Sequence, residues 1–158
     1  MLSQFLMVPR VCLIFIAVFI VVVCSGCGQV EFTFSNGQKK SLDSFKGNWV
    51  IVNYWATWCK PCIEEIPELN KLNQRDGVVV LGVNYDGLIG GELANEANKL
   101  GINYSLIVDD PSESIQVKRP SALPATVIID NKGLTRDILF GPQTVSSIAD
   151  KMRLLATK

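Results

Sequence analysis

NWVIVNYWATWCKPCIEEIPEL, residues 48–69, combines a buried strand with the start of a helix. Residues 48–55 are rich in β-branched and aromatic side chains, a composition typical of a buried strand. From Ile63 onward, apolar residues recur at helical spacing with acidic residues between them. Pro61 suits the first turn of that helix, where its missing N–H group costs no hydrogen bond. The sequence therefore predicts a strand that passes directly into a helix at Cys59.

Two cysteines, Cys59 and Cys62, stand at this predicted junction. The thiolate is the form of cysteine that attacks a disulfide, and the unpaired N–H groups at a helix start favour that anion. Cys62 falls about one turn further along the helix, close to Cys59. We therefore predict that Cys59 is the attacking thiol and that Cys62 resolves the mixed disulfide.

Strands and helices alternate along the rest of the chain. Apolar runs predict strands at residues 77–83, 104–108 and 125–130, and amphipathic patterns predict helices at residues 91–100 and 143–156. We also expect a hairpin over residues 31–42, a turn at residues 109–114 that leads into a short helix, and a return strand at residues 134–140. This order predicts an α/β fold with a mixed central β-sheet flanked by helices. Such a fold places Cys59 at the carboxyl end of a central strand, where α/β ligand sites usually lie.

The amino terminus has the features of an export signal. Arg10 precedes a run of 13 uncharged residues, 11–23, and small residues follow it. A secretory signal has such a positive start, an apolar stretch of about 7–15 residues and a small-residue exit. Cys24-Ser25-Gly26-Cys27 resembles a bacterial lipoprotein box, in which the last cysteine becomes lipidated. We expect a signal peptide over residues 1–26, a tether over 27–30 with lipid on Cys27, and one domain over 31–158. An ordinary signal or an uncleaved helical anchor is the alternative.

Composition excludes several classes of site. The chain has 15 basic and 15 acidic residues, so no strong field indicates nucleic acid or an anionic membrane surface. It contains no histidine, which excludes a Ser-His-Asp triad, a Cys-His pair and histidine-ligated metal sites. Ile63 follows Cys62 where a haem attachment motif requires histidine.

A CxxC pair also occurs in metal sites. A structural zinc site needs four nitrogen or sulfur ligands, and the predicted domain offers neither a second CxxC pair nor a histidine. Soft thiolates can hold Cu(I), so a copper metallochaperone, or a thiol-based binding module without turnover, is the alternative to an enzyme. A disulfide that closes so small a loop stabilises a fold little, which favours a redox role for Cys59 and Cys62.

Two motifs together resemble one family. YWATWCKPCIEEIP, residues 54–67, is similar to the active-site segment of the thioredoxin superfamily, and most of all to its TlpA/ResA branch of extracytoplasmic, membrane-anchored reductases. LPATVIIDNKG, residues 123–133, resembles that family's cis-proline loop, strand and hairpin. The resemblance implies a thioredoxin-like fold from residue 31 to the carboxyl terminus. Cys62 and Pro124 are 62 positions apart, which leaves room for one extra βα unit at residues 84–104.

The resemblance also implies roles for residues around the cysteines. A cis Leu123–Pro124 bond would face the cysteines and present the Leu123 backbone to an extended substrate, whereas a trans proline that opens a strand is the alternative. Trp58 would shield the thiols and offer an apolar contact surface. Glu65 matches an acid typical of the branch and would exchange protons with the resolving thiol, unless it is simply an exposed helix acid. Asn53 occupies the strand position where thioredoxins proper carry a buried acid.

The expected function is that of a thiol–disulfide oxidoreductase outside the cytoplasm, tethered to the membrane through Cys27. By resemblance it would reduce disulfides of target proteins, for example in cytochrome c maturation, with a membrane thiol carrier as electron donor. The Cys59–Cys62 disulfide would be the redox centre, with no other cofactor, no metal and no nucleic-acid partner. A peroxidase of the peroxiredoxin kind is a weaker alternative, because its cysteine context differs from WCKPC.

Overall fold

The computed structural model describes residues 30–157. Within these residues the structure has strands β1 (Glu31–Thr33), β2 (Lys39–Ser41), β3 (Trp49–Trp55), β4 (Val78–Asn84), β5 (Ser105–Ile107), β6 (Ala125–Ile129) and β7 (Thr135–Phe140). The helices are α1 (Lys60–Asn73), α2 (Gly90–Leu100) and α3 (Val145–Ala156), with a short 3-10 helix at Leu42–Phe45. The predicted junction of strand and helix is confirmed, since β3 ends at Trp55 and α1 begins at Lys60. The segment between α1 and β6 forms β4, α2 and β5, which contain the predicted additional βα unit.

One mixed sheet has the strand order β5-β4-β3-β6-β7, and the β1–β2 hairpin is a separate pair of strands that joins β5 through an isolated bridge between Phe34 and Ile107. β3, β4 and β5 are parallel, whereas β6 and β7 are antiparallel to their neighbours. The register places Trp55 opposite Asn84 and Tyr54 opposite Ala125. Three turns therefore meet at one end of the sheet, the carboxyl end of β3. They are the turns that follow β3 and β4 and the turn that precedes β6.

The sheet is buried on both faces, which explains why its central strands are nearly continuous apolar runs. Alternate residues of a strand point to opposite faces. On one face, Ile51 and Trp55 of β3 join a hydrophobic cluster that includes residues of all three helices. On the other face, Val50, Val52 and Tyr54 pack with the β1–β2 hairpin, the 3-10 helix and the segment between β5 and β6. The predicted α/β fold with a mixed central sheet is confirmed.

The helix ends follow the local chemistry of the sequence. α2 ends at Gly101, whose φ of 71° lies in the left-handed region that favours glycine. α3 begins at Val145, two positions later than predicted, because the Thr144 hydroxyl accepts a hydrogen bond from the Ser147 N–H group and caps the helix there. The prediction had taken the amphipathic pattern as far as Gln143.

The prediction of a short helix after residues 109–114 is wrong. The whole segment between β5 and β6, residues 108–124, consists of turns and extended backbone. Gln116 has a φ of 58°, which no right-handed helix accommodates. The Asp110 carboxylate accepts a hydrogen bond from the Ser112 N–H group at 3.0 Å, and the Ile115 N–H group donates to the Pro111 carbonyl at 2.9 Å, but this single turn stops at Gln116.

The predicted signal peptide, the lipid site at Cys27 and residues 27–29 of the tether lie outside the described residues. They stay predictions, as do the domain boundaries. No helix within residues 30–157 combines the length and the apolar character needed to cross a membrane.

Candidate active site

The two cysteines of the CxxC pair form a disulfide at the start of α1. Their sulfur atoms are 2.02 Å apart and their Cα atoms 5.3 Å apart. Cys59 is the residue that caps the helix, and its sulfur accepts a hydrogen bond from the Cys62 N–H group at 3.3 Å. Cys59 is 4% exposed to solvent and Cys62 only 1%. The structure therefore joins the two predicted residues and places the Cys59 sulfur at the helix terminus.

This position has a direct electrostatic consequence. The first N–H groups of a helix have no partner within it, and the helix dipole places partial positive charge there. When the disulfide is reduced, a thiolate at Cys59 faces that charge and keeps the N–H group of Cys62 as a donor. The local field thus favours the anion at Cys59, which is the reactive form of a thiol.

The two tryptophans beside the cysteines have different surroundings. Trp58 is 65% exposed, and its indole N–H donates to the Asp86 carboxylate at 2.9 Å. Trp55 is only 1% exposed and belongs to the core. Trp58 therefore presents an apolar ring to solvent next to Cys59, and its orientation is held by an acid from the turn after β4.

The Leu123–Pro124 bond is cis, in agreement with what the sequence resemblance implied. Leu123 is half-buried and packs against the cluster that contains Cys59 and Cys62. The Pro124 carbonyl accepts a hydrogen bond from the Gly141 N–H group at 2.9 Å. The backbone N–H and C=O of Leu123 make no hydrogen bond within residues 30–157. They are therefore available to an added chain.

Glu65 is buried, and the interpretation of it as an exposed helix acid is wrong. The residue is 2% exposed to solvent. One carboxylate oxygen accepts a hydrogen bond from the Asn53 amide at 2.7 Å, and the other accepts from the Gln143 N–H group at 2.8 Å. Burial raises the pKa of Glu65 to about 7, although these two hydrogen bonds act in the opposite direction. The carboxyl group therefore changes charge near neutral pH.

A second layer of polar groups surrounds Glu65, and the sequence analysis missed part of it. The Tyr104 hydroxyl donates to the Asn53 amide oxygen at 3.3 Å, so Asn53 connects Tyr104 to Glu65. Burial and the nearby Glu65 charge raise the pKa of Tyr104, which keeps its hydroxyl protonated. A tyrosine at the start of a strand gives no sequence signal for this contact. Gln143 contributes a backbone N–H group, which no residue pattern reveals.

Two charged residues of α1 close to the cysteines lie at the surface. Lys60, between the cysteines, is exposed, and Glu64 is exposed on the same helix. Cys27 lies outside the described residues. Within residues 30–157, no group of three or more histidine, cysteine, aspartate or glutamate side chains is arranged to hold a metal ion.

Comparison with known proteins agrees with this geometry. The model of the AhpC/TSA family matches residues 28–138. A protein named thiol-disulfide oxidoreductase ResA, from Geobacillus thermodenitrificans, is 31% identical over 134 residues, which cover 80% of this chain and 75% of that protein. Thioredoxin-like protein YneN of Bacillus subtilis is 32% identical over 75% of this chain and 72% of its own length.

Solved structures show the same fold. A thiol:disulfide interchange protein of the thioredoxin family from Chlorobium tepidum has a TM-score of 0.67 and 22% identity, over 80% of this chain and 92% of that chain. StoA from Bacillus subtilis has a TM-score of 0.59 and 19% identity, over 76% of this chain and 92% of that chain. Fold, cysteine pair and sequence matches agree, and the chain therefore belongs to the AhpC/TSA thioredoxin-like family, among the thiol–disulfide oxidoreductases of the ResA type.

Proposed function

We propose that this oxidoreductase reduces disulfides of target proteins outside the cytoplasm by exchange at Cys59 and Cys62. The observation that carries the proposal is the Cys59 sulfur at the amino terminus of α1, within bonding distance of the Cys62 sulfur. A pair in this arrangement can alternate between a dithiol and a disulfide without rearrangement of the helix. The helix terminus favours the thiolate at Cys59 rather than at Cys62.

The exchange proceeds in two attacks. In the reduced enzyme, the Cys59 thiolate attacks one sulfur of a substrate disulfide, forms a mixed disulfide and releases the other substrate sulfur as a thiolate. Cys62 then loses its proton, and its thiolate attacks the Cys59 sulfur. The Cys59–Cys62 disulfide forms again, and the second substrate sulfur leaves and takes up a proton. Two electrons pass to the substrate. A dithiol carrier in the membrane then reduces the Cys59–Cys62 disulfide by the same kind of exchange and is itself oxidised to a disulfide.

Glu65 is the proposed acceptor of the Cys62 proton. It lies one turn after Cys62 on α1, so the two side chains share one face of the helix. A carboxyl group with a pKa of about 7 can take up and release a proton near neutral pH. In its ionised form it would also raise the pKa of the Cys62 thiol by repulsion, so that Cys62 keeps its proton until Glu65 accepts it.

The substrate is proposed to bind as an extended chain between Leu123 and Trp58. The free backbone groups of Leu123 would pair with the chain as an added strand does. The exposed ring of Trp58 would cover apolar side chains next to the substrate cysteine.

Location and anchoring complete the proposal. The signal-like residues 1–26 support export, and the Cys24–Cys27 sequence supports a lipid on Cys27 that tethers the domain to the membrane. Candidate substrates are cysteine pairs of exported proteins that await a cofactor, such as those of cytochrome c maturation. Mass spectrometry of the membrane fraction tests the anchor: an unmodified peptide that contains Cys27 would contradict it.

The exchange itself is tested by trapping. A Cys62→Ser variant keeps the attacking thiol and lacks the resolving one, so mixed disulfides with target proteins should accumulate through Cys59. Cys59→Ser is the matched control and should trap far less. Partners are identified by non-reducing electrophoresis followed by mass spectrometry. The proposal fails if Cys62→Ser traps no partner and the parent protein does not reduce insulin.

A further inference from the structure

Tyr85, in the turn after β4, is hydrogen-bonded to the part of the chain that carries the cysteines. Its backbone N–H group donates to the Trp55 carbonyl at 2.8 Å, at the end of β3. The next residue, Asp86, accepts the indole N–H of Trp58 at 2.9 Å. The turn after β4 is therefore attached both to the strand before Cys59 and to the exposed ring beside it.

On its other side, Tyr85 is hydrogen-bonded to the segment that leads to Pro124. Arg119 donates from Nη2 to the Tyr85 carbonyl at 2.6 Å, and its guanidinium carbon lies 4.2 Å from the centroid of the Tyr85 ring. The Tyr85 hydroxyl donates to the Pro120 carbonyl at 3.1 Å. Pro120 and Pro124 are buried. Tyr85 thus holds the base of the turn that presents Leu123.

Arg119 is itself oriented by an acid that is fixed to β3. Its Nε atom lies 2.9 Å from one oxygen of Asp110. The other Asp110 oxygen accepts the hydroxyl of Tyr54, which is fully buried in β3, at 2.9 Å. One guanidinium group therefore contacts Asp110, a backbone carbonyl and an aromatic face at once. The planar fork of arginine permits this set of contacts, and the ammonium of lysine does not.

We propose that Arg119 and Tyr85 are positioning residues that hold the Pro124 turn at a fixed spacing from Trp58 and Cys59. That spacing sets the affinity of the enzyme for extended polypeptide substrates. The inference rests on the proposed function, in which a polypeptide contacts Leu123 and Trp58 simultaneously. A small disulfide needs only the Cys59 sulfur, so it does not depend on the spacing. A loosened turn must be ordered again each time a polypeptide binds, and that cost weakens binding.

The test compares two substrates on matched variants of the full chain. Arg119→Lys keeps the charge near Asp110 but loses the fork and the stacking, and Tyr85→Phe loses only the bond to Pro120. With a disulfide-containing peptide, Arg119→Lys should raise KM about fivefold to tenfold and Tyr85→Phe about threefold. With 5,5′-dithiobis(2-nitrobenzoate), both variants should retain the parent rate. Lys118→Ala, a change of the exposed neighbour, is the control and should leave both substrates unaffected.

The outcomes separate the inference from the function on which it rests. A parent-like peptide KM in both variants overturns the inference and leaves the exchange activity intact. An equal loss on the peptide and on the small disulfide also overturns it, because the whole site is then damaged. Failure of the parent protein to reduce either substrate overturns the proposed function instead. Tyr85→Phe preserves the ring and the stacking, so the test stands even where an arginine variant folds poorly.

Discussion

The two halves of helix α1 hold carboxylates in opposite environments. In the amino-terminal half, Glu65 is 2% exposed and accepts hydrogen bonds from the Asn53 amide and the Gln143 N–H group. One turn further, the side chain of Glu68 is 30% exposed and lies 2.6 Å from the Lys71 ammonium. Glu68 also accepts a backbone hydrogen bond, from the first residue of α3. Both acids thus connect α1 to the start of α3, and they differ in their access to water.

That difference reverses the direction of the pKa change. Burial raises the pKa of Glu65 to about 7, whereas the hydrogen bond from Lys71 lowers the pKa of Glu68. Each carboxylate accepts two hydrogen bonds, but one donor to Glu68 is the charged Lys71, so burial at Glu65 and the lysine at Glu68 together account for the opposite directions. The two residues are of the same type, so the buried position of Glu65 on α1, and not its residue type, gives it a pKa near neutral.

The largest expected effect is on the pH dependence of stability. The folded pKa of Glu65, about 7, lies above its ordinary value of 4.5, so the folded protein binds the proton more tightly than the unfolded chain. The stability from the protonated form is fully present below pH 4.5 and is lost as pH rises through about 7. The free energy of unfolding should fall by about 3 kcal/mol over this interval. Glu65→Gln should remove that fall, as measured by urea unfolding at a series of pH values.

Glu68→Gln is the matched control for this experiment. The folded pKa of Glu68 lies below its ordinary value, so its contribution is present at higher pH and is lost as pH falls. The Glu68→Gln variant should therefore keep the loss of stability that Glu65 causes between acid and neutral pH. An unchanged pH dependence in Glu65→Gln would show that the two acids do not differ.

A smaller effect on stability is expected for two asparagines, one that contacts the amino-terminal half of α1 and one that lies in its carboxyl-terminal half. Asn53 is fully buried and bonds both Glu65 and the Tyr104 hydroxyl, so Asn53→Ala leaves two buried groups without a partner. We expect it to lower the free energy of unfolding by about 2 kcal/mol. Asn70 of α1 bonds the backbone of Gly101 and Asn103 near the surface, and Asn70→Ala should cost about 1 kcal/mol. Chemical denaturation of both variants measures this; equal costs would contradict the comparison.

The smallest effect is on the pH profile of exchange. On the proposed role of Glu65, its ionised carboxylate would repel the Cys62 thiolate, and an uncharged glutamine would not. Glu65→Gln should therefore shift the rise of the exchange rate to lower pH by about one unit. The rate of insulin reduction by the pre-reduced enzyme measures this shift. Glu64→Gln, a change of an exposed acid on the same helix, should leave the profile where it is. Identical pH profiles for both variants would contradict a role for Glu65 in the exchange.

Much of the fold was predictable because its signals are local. The β-branched run before Cys59 and the helical spacing after it lie within one short segment, and both were found in the structure. The resemblance to the TlpA/ResA branch singled out Glu65, but the carboxylate is held by a backbone donor just before α3, 78 positions further along the chain. Such a contact leaves no local pattern, since the donor is the backbone of Gln143.

Contacts between distant turns were not predictable. Tyr85 and Arg119 are 34 positions apart, and neither belongs to a motif. A short helix was predicted after the turn at residues 109–114, whereas the left-handed backbone at Gln116 ends any helical turn before Arg119. The absence of any alternating or helical pattern there was the only available sign.

The turn between β7 and α3 has a double attachment with a practical consequence. Gly141 donates to the Pro124 carbonyl, and Gln143, two residues later, donates to the Glu65 carboxylate. A designer who reshapes this turn to change the pKa of Glu65 would at the same time displace the loop that is proposed to bind the polypeptide. On the proposed function, the pKa of Glu65 and the position of the substrate loop are therefore coupled through this turn, and changing one alone requires substitutions elsewhere in the chain.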